Sequence, residues 1–162
     1  MDDKKLLFIV NPRAGKTKSL APLFDAAAIY SEAGYLVSVR KTTHRGEATE
    51  LAESLGPEFD VVVCHGGDGT LNTVVQALWE HPIPFGALPR GTFNFFGRQH
   101  GLPTDTDAAL PHLLAAIEAG DMRPVQLGRI GDRIFLVNAS LGLYPELLEE
   151  REEMKRRHGR SQ

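Results

Sequence analysis

Cysteine occurs once in this chain of 162 residues. The lone Cys64 excludes an internal disulfide and a cysteine-rich zinc site, and its position at the end of an apolar strand marks it as a buried structural thiol. His44, His100, His112 and His158 are scattered without metal-ligand spacing and read as surface residues. No run reaches the roughly 18 apolar residues of a membrane-spanning helix. Residues 1–5 lead into too few apolar residues for a secretory signal, so the expectation is a soluble, cytoplasmic protein. Charge of one sign is also missing. With 18 basic and 21 acidic side chains the net charge is only -3, and nucleic acid is not expected as a partner. Internal repeats and low-complexity segments are absent.

What is present is an alternation of strand-like and helix-like stretches. Residues 6–10 are wholly apolar, the pattern of a strand buried on both faces of a parallel sheet. Helical spacing of Leu20, Leu23, Phe24 and Ala27 follows, with Ser19 placed as N-cap and Pro22 in the first turn. Residues 35–40 alternate as a second strand, and Ala48, Leu51, Ala52 and Leu55 share one helix face up to Gly56-Pro57. A β-branched strand at 60–63, a helix to about Glu80 and a short strand at 85–88 complete the pattern. Such alternation predicts an α/β fold with a doubly wound, mainly parallel sheet and flanking helices. Ligands of these sheets collect beyond the carboxyl ends of the strands.

At the centre stands Cys64-His65-Gly66-Gly67-Asp68-Gly69-Thr70-Leu71-Asn72, where a strand runs into a turn and the turn opens a helix. Gly66, Gly67 and Gly69 carry no Cβ to hold a ligand off the main chain. Successive N–H groups can therefore converge on an anion at the positive end of the helix, and phosphate is the expected guest. The spacing matches neither the lysine-tipped phosphate loop nor the dinucleotide fingerprint. Asp68 suits either a metal or acceptor-hydroxyl role, or the cap of its own helix. His65 beside it has no partner in the sequence to orient it as a base and reads as structural.

Beyond residue 95 a short helix, then a longer one through Ala108, Leu110, Leu113, Leu114 and Ile117, ends at Gly120. Residues 125–130 and 133–138, joined by Gly131-Asp132, carry a hairpin signal. Two strands alone are marginal in water, so the hairpin is expected either to dock on the main sheet or to pair with a second copy as a homodimer. Residues 146–157 form a densely charged helical pattern. The division expected is a nucleotide-binding α/β domain at 1–123, and at 124–162 the hairpin and charged helix that open a second lobe without completing it.

Asn11-Pro12-x-x-Gly15, Gly66-Gly67-Asp68-Gly69-Thr70-Leu71-Asn72 and Pro89-x-Gly91-Thr92-x-Asn94 occur in that order. With them the chain resembles the diacylglycerol kinase catalytic-domain family, the lipid kinases that share a glycine-aspartate turn with NAD kinases. The resemblance implies ATP with Mg2+ as phosphoryl donor and a diacylglycerol or sphingoid-like lipid as acceptor. It implies a cytoplasmic enzyme working at the inner membrane surface through peripheral contact. Asn11, Pro12, Gly15 and Thr42 would line the nucleotide site. Gly66, Gly67, Asp68, Gly69, Thr70, Leu71 and Asn72 would hold the phosphates, with Asp68 as catalytic and metal-binding residue, and Thr92 and Asn94 would close the pocket. Phe95 stands where many relatives carry Asp or His. Two other readings remain open: a nucleotide-binding module without catalysis, and a kinase of a soluble acceptor, as in NAD kinases.

Overall fold

The computed structural model describes residues 4–15, 20–139 and Glu153. Ser19 and the charged pattern at 146–157 lie outside the described residues, Glu153 aside.

Four strands, β1 (Lys5–Val10), β2 (Leu36–Lys41), β3 (Val61–Gly66) and β4 (Phe85–Pro89), form one parallel sheet in the order β2-β1-β3-β4. The expected doubly wound α/β fold is what the chain adopts. Period-two alternation along β1 sends Leu6, Phe8 and Val10 to one face and Leu7 and Ile9 to the other, all fully buried. On the first face lie α1 (Ala21–Glu32) and α5 (Thr106–Ala119), whose Leu23, Tyr30, Leu110 and Ile117 close that half of the core. The Tyr30 hydroxyl ties the two helices by donating to the Leu110 carbonyl at 2.7 Å. On the second face lie α2 (Glu47–Leu55), α3 (Asp68–Leu78) and α4 (Phe95–Gln99). Each large apolar side chain buried in these layers contributes roughly 1.5–3 kcal/mol, and the two inner strands receive it on both faces.

The N-cap position of α1 falls on Leu20, which makes no side-chain cap bond. By contrast α5 is capped at both ends, by Asp105 accepting from the Ala108 amide at 3.2 Å and by Gly120 at a φ of 65°.

The hairpin is where expectation and structure part. Its strands are short, β5 (Gly128–Ile130) and β6 (Arg133–Phe135), paired antiparallel as a sheet of their own. Instead of docking on the main sheet, the hairpin docks on helix α3. Asn72 donates to the Ile134 carbonyl at 3.2 Å and accepts from the Leu136 amide at 3.0 Å. One helical turn later, Gln76 donates to the Asp132 carbonyl at 3.2 Å and accepts from the Ile134 amide at 2.8 Å. Four residues of helix rise about 6 Å and two residues of strand about 6.6 Å. Two carboxamides spaced i, i+4 therefore match the hydrogen-bonding repeat of a strand edge and stand in for a neighbouring strand. Ile134 and Leu136 complete the contact by entering the core on the second face.

Candidate functional site

In the order β2-β1-β3-β4 the chain reverses direction across the sheet between β1 and β3, so a crevice opens at the carboxyl ends of these two strands. Loop 11–15 and the glycine turn meet there. The Asn11 amide nitrogen donates to the Thr70 hydroxyl oxygen at 2.9 Å, its backbone N–H donates to the His65 carbonyl at 3.0 Å, and its Oδ1 accepts from the Arg13 amide. Thr70 thus receives one hydrogen bond and keeps its own hydroxyl proton to donate.

The turn itself is Gly67 in an extended conformation as N-cap, followed by Asp68, Gly69 and Thr70 in the first turn of α3, with no side-chain cap. No hydrogen bond among the described residues takes up the N–H groups of these three. The Leu71 amide is different: it already donates to the Gly67 carbonyl at 3.0 Å, and its side chain is in the core. Of the expected phosphate-holding set, Leu71 therefore contributes packing. Asn72 belongs to the hairpin contact, its carboxamide engaged there at both ends.

The three glycines serve different ends. A Cβ on Gly66 would sit 2.7 Å from the Thr70 Cβ, and one on Gly67 would sit 3.1 Å from the Gly91 Cα. These two positions need glycine for packing within the turn and against the loop after β4. Gly69 has nothing within 4 Å of its would-be Cβ. Gly15, at a φ of 72°, lies against the Arg90 carbonyl, where a Cβ would come within 2.1 Å, and the Arg90 Nε donates to the Ala14 carbonyl at 3.2 Å. The loops after β1 and β4 are thereby clasped to each other across the end of β3.

Asp68 caps neither its own helix nor stands free. Its Oδ2 accepts from the Phe95 amide and its Oδ1 from the Phe96 amide, both at 3.0 Å, so it holds the start of α4. The expectation that its structural alternative is to cap α3 is corrected: Gly67 occupies that cap, and Asp68 is the first residue within the helix. An ionised carboxylate has about four acceptor sites, so both oxygens retain a lone pair towards the crevice or solvent. Asn94, at a φ of 49°, bonds back to Gly91 through both Oδ1 (2.8 Å from the amide) and Nδ2 (3.0 Å to the carbonyl), which closes loop 91–94. Thr92 is exposed on that loop and Pro12 half-buried on the first. Thr42, buried beyond the end of β2, bonds the Val10 carbonyl through its backbone N–H at 2.8 Å and its hydroxyl at 3.3 Å. Phe93 and Phe95 stack face to face with ring centroids 5.2 Å apart and both mostly exposed, while Phe96 is in the core.

Two buried titratable groups lie on β3. Burial pushes the Cys64 thiol up to about 12, which makes it inert. His65 is 1% exposed, and neither of its ring nitrogens has a hydrogen-bond partner. Burial, and then the positive charge of Arg90, lower its pKa to about 4, so the ring is neutral at ordinary pH. An unpartnered buried polar group costs about 1–3 kcal/mol, which sets His65 apart from every other side chain of the sheet.

The model of the diacylglycerol kinase catalytic domain matches residues 5–130. The chain belongs to the diacylglycerol kinase catalytic-domain family. Among members of the family, a diacylglycerol kinase of Staphylococcus saprophyticus is 37% identical over 142 residues, 86% of this chain and 45% of that protein. One of Staphylococcus aureus is 36% identical over the same length, 44% of that protein. The crystal structure of a diacylglycerol kinase from Bacillus anthracis str. Sterne superimposes with a TM-score of 0.72 at 26% identity, over 84% of this chain and 47% of that one. The chain thus spans about half the length of the diacylglycerol kinases it matches. Among the described residues no helix is long and apolar enough to cross a membrane, and no cluster of three or more His, Cys, Asp or Glu is placed to hold a metal ion.

The links that sequence reasoning missed in this family member are non-local. Asp68 with Phe95 and Phe96, Asn72 and Gln76 with β6, and Gly67 with Gly91 are each at least 24 positions apart or more, and local spacing carries no signal for them.

Proposed function

We propose that this chain is the nucleotide-binding lobe of an ATP-dependent lipid kinase. The observation that carries the reading is the first turn of α3 at the carboxyl end of β3, which has no side-chain cap and whose Asp68, Gly69 and Thr70 amides have no hydrogen-bond partner among the described residues. A helix N-terminus with unsatisfied N–H groups favours a phosphate through both hydrogen bonds and the helix dipole. The Thr70 hydroxyl, held by Asn11, adds a side-chain donor. In the reaction the acceptor hydroxyl oxygen forms a bond to the γ-phosphorus as the bond to the β-phosphate oxygen breaks, ADP leaves, and the hydroxyl proton passes to a base. Such transfers need positioned phosphates and neutralised charge more than covalent chemistry from the protein.

Mg2+ fits the residues present in one way. It binds by one or two carboxylates, keeps several waters and takes the rest of its ligands from substrate phosphates. Asp68 is the carboxylate at the turn, and its free lone pairs suit a metal-bound water or the acceptor hydroxyl. When bound, the ion would neutralise charge on the phosphates. The acceptor proposed is a diacylglycerol or sphingoid-like lipid, reached by peripheral contact with a cytoplasmic membrane surface, to which the exposed Phe93–Phe95 stack offers an apolar wall. The proposed division is a nucleotide-binding domain at 1–123 with the start of a second lobe at 124–162.

Calorimetric titration of the chain with ATP and Mg2+, and phosphorylation assays over a diacylglycerol and sphingoid panel, test the reading. Heat with ATP and phosphorylated lipid are the expected results for a protein carrying both lobes. Binding without turnover by the 162-residue chain supports the nucleotide-binding module that half-length coverage of the relatives favours. Absence of heat with ATP, ADP or their magnesium complexes overturns both.

A further inference from the structure

The two edges of the main sheet differ. At β2 the Leu36 amide donates to the Lys4 carbonyl at 2.9 Å, and the Thr42 amide donates to the Val10 carbonyl at 2.8 Å. With Leu36 in register with Lys5, the even-numbered residues of β2 direct their main-chain groups to β1. The N–H and C=O groups of Val37, Val39 and Lys41 therefore point away from the sheet, and among the described residues no strand lies beyond them. At the opposite edge the outward row of β4 is Phe85, Ala87 and Pro89, and Pro89 has no N–H to donate. The six-residue edge without proline is the one equipped to pair with another strand.

The helix beside that edge is apolar on its outer side. Among the 12 residues of α1 only Asp25 and Glu32 are charged, and Phe24 and Ile29 are 43% and 55% exposed. Leu36, at the start of β2, is 53% exposed. Unpaired main-chain groups and exposed apolar groups thus share one side of the molecule, the combination that marks an interaction surface. Its two ends differ in charge. The Lys41 ammonium lies over the Phe24 ring, 4.6 Å from the centroid, at the carboxyl end of β2. Glu32 lies at the other end, where α1 stops and the chain turns into β2.

We propose that the β2 edge is a homodimer interface, at which β2 of a second copy pairs antiparallel about a two-fold axis at Val39 and joins the two sheets into one. Charge selects both the occupant and the register. Val39 then faces its own counterpart, Val37 faces Lys41 and Ser38 faces Arg40, so no like charges stand opposite one another. An axis at Arg40 or Lys41 would oppose like charges, and one at Ser38 would pair Lys41 with Tyr35, outside the strand. Antiparallel pairing also sets the Lys41 end of each copy beside the Glu32 end of the other, with Phe24 towards Ile29. The surface is complementary to itself, as a two-fold interface must be. One strand and one helix face make a small interface, so a micromolar Kd is expected. The inference stands apart from the nucleotide reading.

Sedimentation equilibrium of the 162-residue chain, from about 1 µM to about 1 mM, tests it across the micromolar range. A mass rising towards twice that of the chain is expected. Val39→Pro removes an N–H that β1 does not use, a change that edge strands accept, and should raise Kd about tenfold or more with the loss of two hydrogen bonds across the axis. Glu32→Lys and Lys41→Glu should each weaken association about tenfold, because the contact occurs twice. The double exchange Glu32→Lys/Lys41→Glu should restore it, a rescue that a role within one copy would not produce. These charge variants decide the matter if Val39→Pro fails to fold. A monomer at every concentration overturns the proposal. So does a dimer that folded Val39→Pro leaves unchanged, or one whose charge variants are not rescued by the double exchange.

Discussion

Replacing Gly69 by alanine separates a glycine kept for a ligand from one kept for the fold. Gly69 is the second residue of α3, its φ is not left-handed, and no atom lies within 4 Å of the Cβ that alanine would add. Alanine in a helix is favoured over glycine by roughly 0.5–1 kcal/mol. Because the first turn is less constrained than a helix interior, about half of that gain is expected here, and a chain of this size would melt about 1–2 °C higher. The same methyl group enters open space at the turn, and on the proposed reading a phosphate held by the amides of residues 68–70 would meet it there. Displacing that phosphate by even a few tenths of an ångström weakens hydrogen bonds to charged oxygens, worth about 1.5–3 kcal/mol each, so the Kd for ATP should rise by about tenfold or more. The variant is thus expected to be slightly more stable and clearly worse at binding. Differential scanning calorimetry and isothermal titration on the same preparation read the two quantities. A Gly69→Ala protein with unchanged ATP affinity would refute the placement of the phosphates. Gly67→Ala is the control, since its Cβ would press on Gly91 at 3.1 Å and destabilise by about 1–3 kcal/mol.

Three further outcomes are expected. His65 has a folded pKa of about 4 against the ordinary 6.5, so as pH falls the unfolded chain takes up the proton first; stability is full above pH 6.5, declines towards pH 4 by on the order of 3 kcal/mol, and then levels as far as this group is concerned. Urea unfolding as a function of pH should show that decline reduced in His65→Gln, and equal slopes for both proteins would count against the buried neutral ring. Asp68→Asn turns an amide NH2 towards one of the two α4 amides and should destabilise by about 1–2 kcal/mol; since Asp68 also holds α4, any loss of kinase turnover in an Asp68 variant has to be compared with its unfolding midpoint. Asn72→Ala removes the bond to the Leu136 amide, and that amide should exchange with solvent about tenfold faster, corresponding to a bond of about 1.4 kcal/mol, while amides of β1 remain unaffected.

How much was legible follows from the range of each interaction. The alternation in residues 6–10 and the strand, glycine turn and helix at 61–78 were readable because each is a pattern within a few residues. So was the end of α5 at Gly120. Hairpin formation was readable from Gly131-Asp132, but the length of its strands was not: β5 and β6 are three residues each because their partner is a helix offering two carboxamides, and the ladder extends no further than that support. Asp68 shows the same limit. An aspartate following glycines at a helix start looks like a cap for that helix, and only the position of α4 reveals that its oxygens meet two amides 27 and 28 residues away.

Composition, strand and helix periods and three short motifs by themselves determined the α/β class, the parallel sheet and the family, because these depend on local hydrophobic pattern and backbone freedom. Tertiary structure alone decided which glycines touch another loop and which faces open space. It alone showed that Asn72 and Gln76 act as a substitute strand edge, and that His65 is sealed without a hydrogen-bond partner. The physical reason is that burial and hydrogen-bond satisfaction belong to pairs of atoms distant in the chain, and a sequence pattern specifies only one member of each pair.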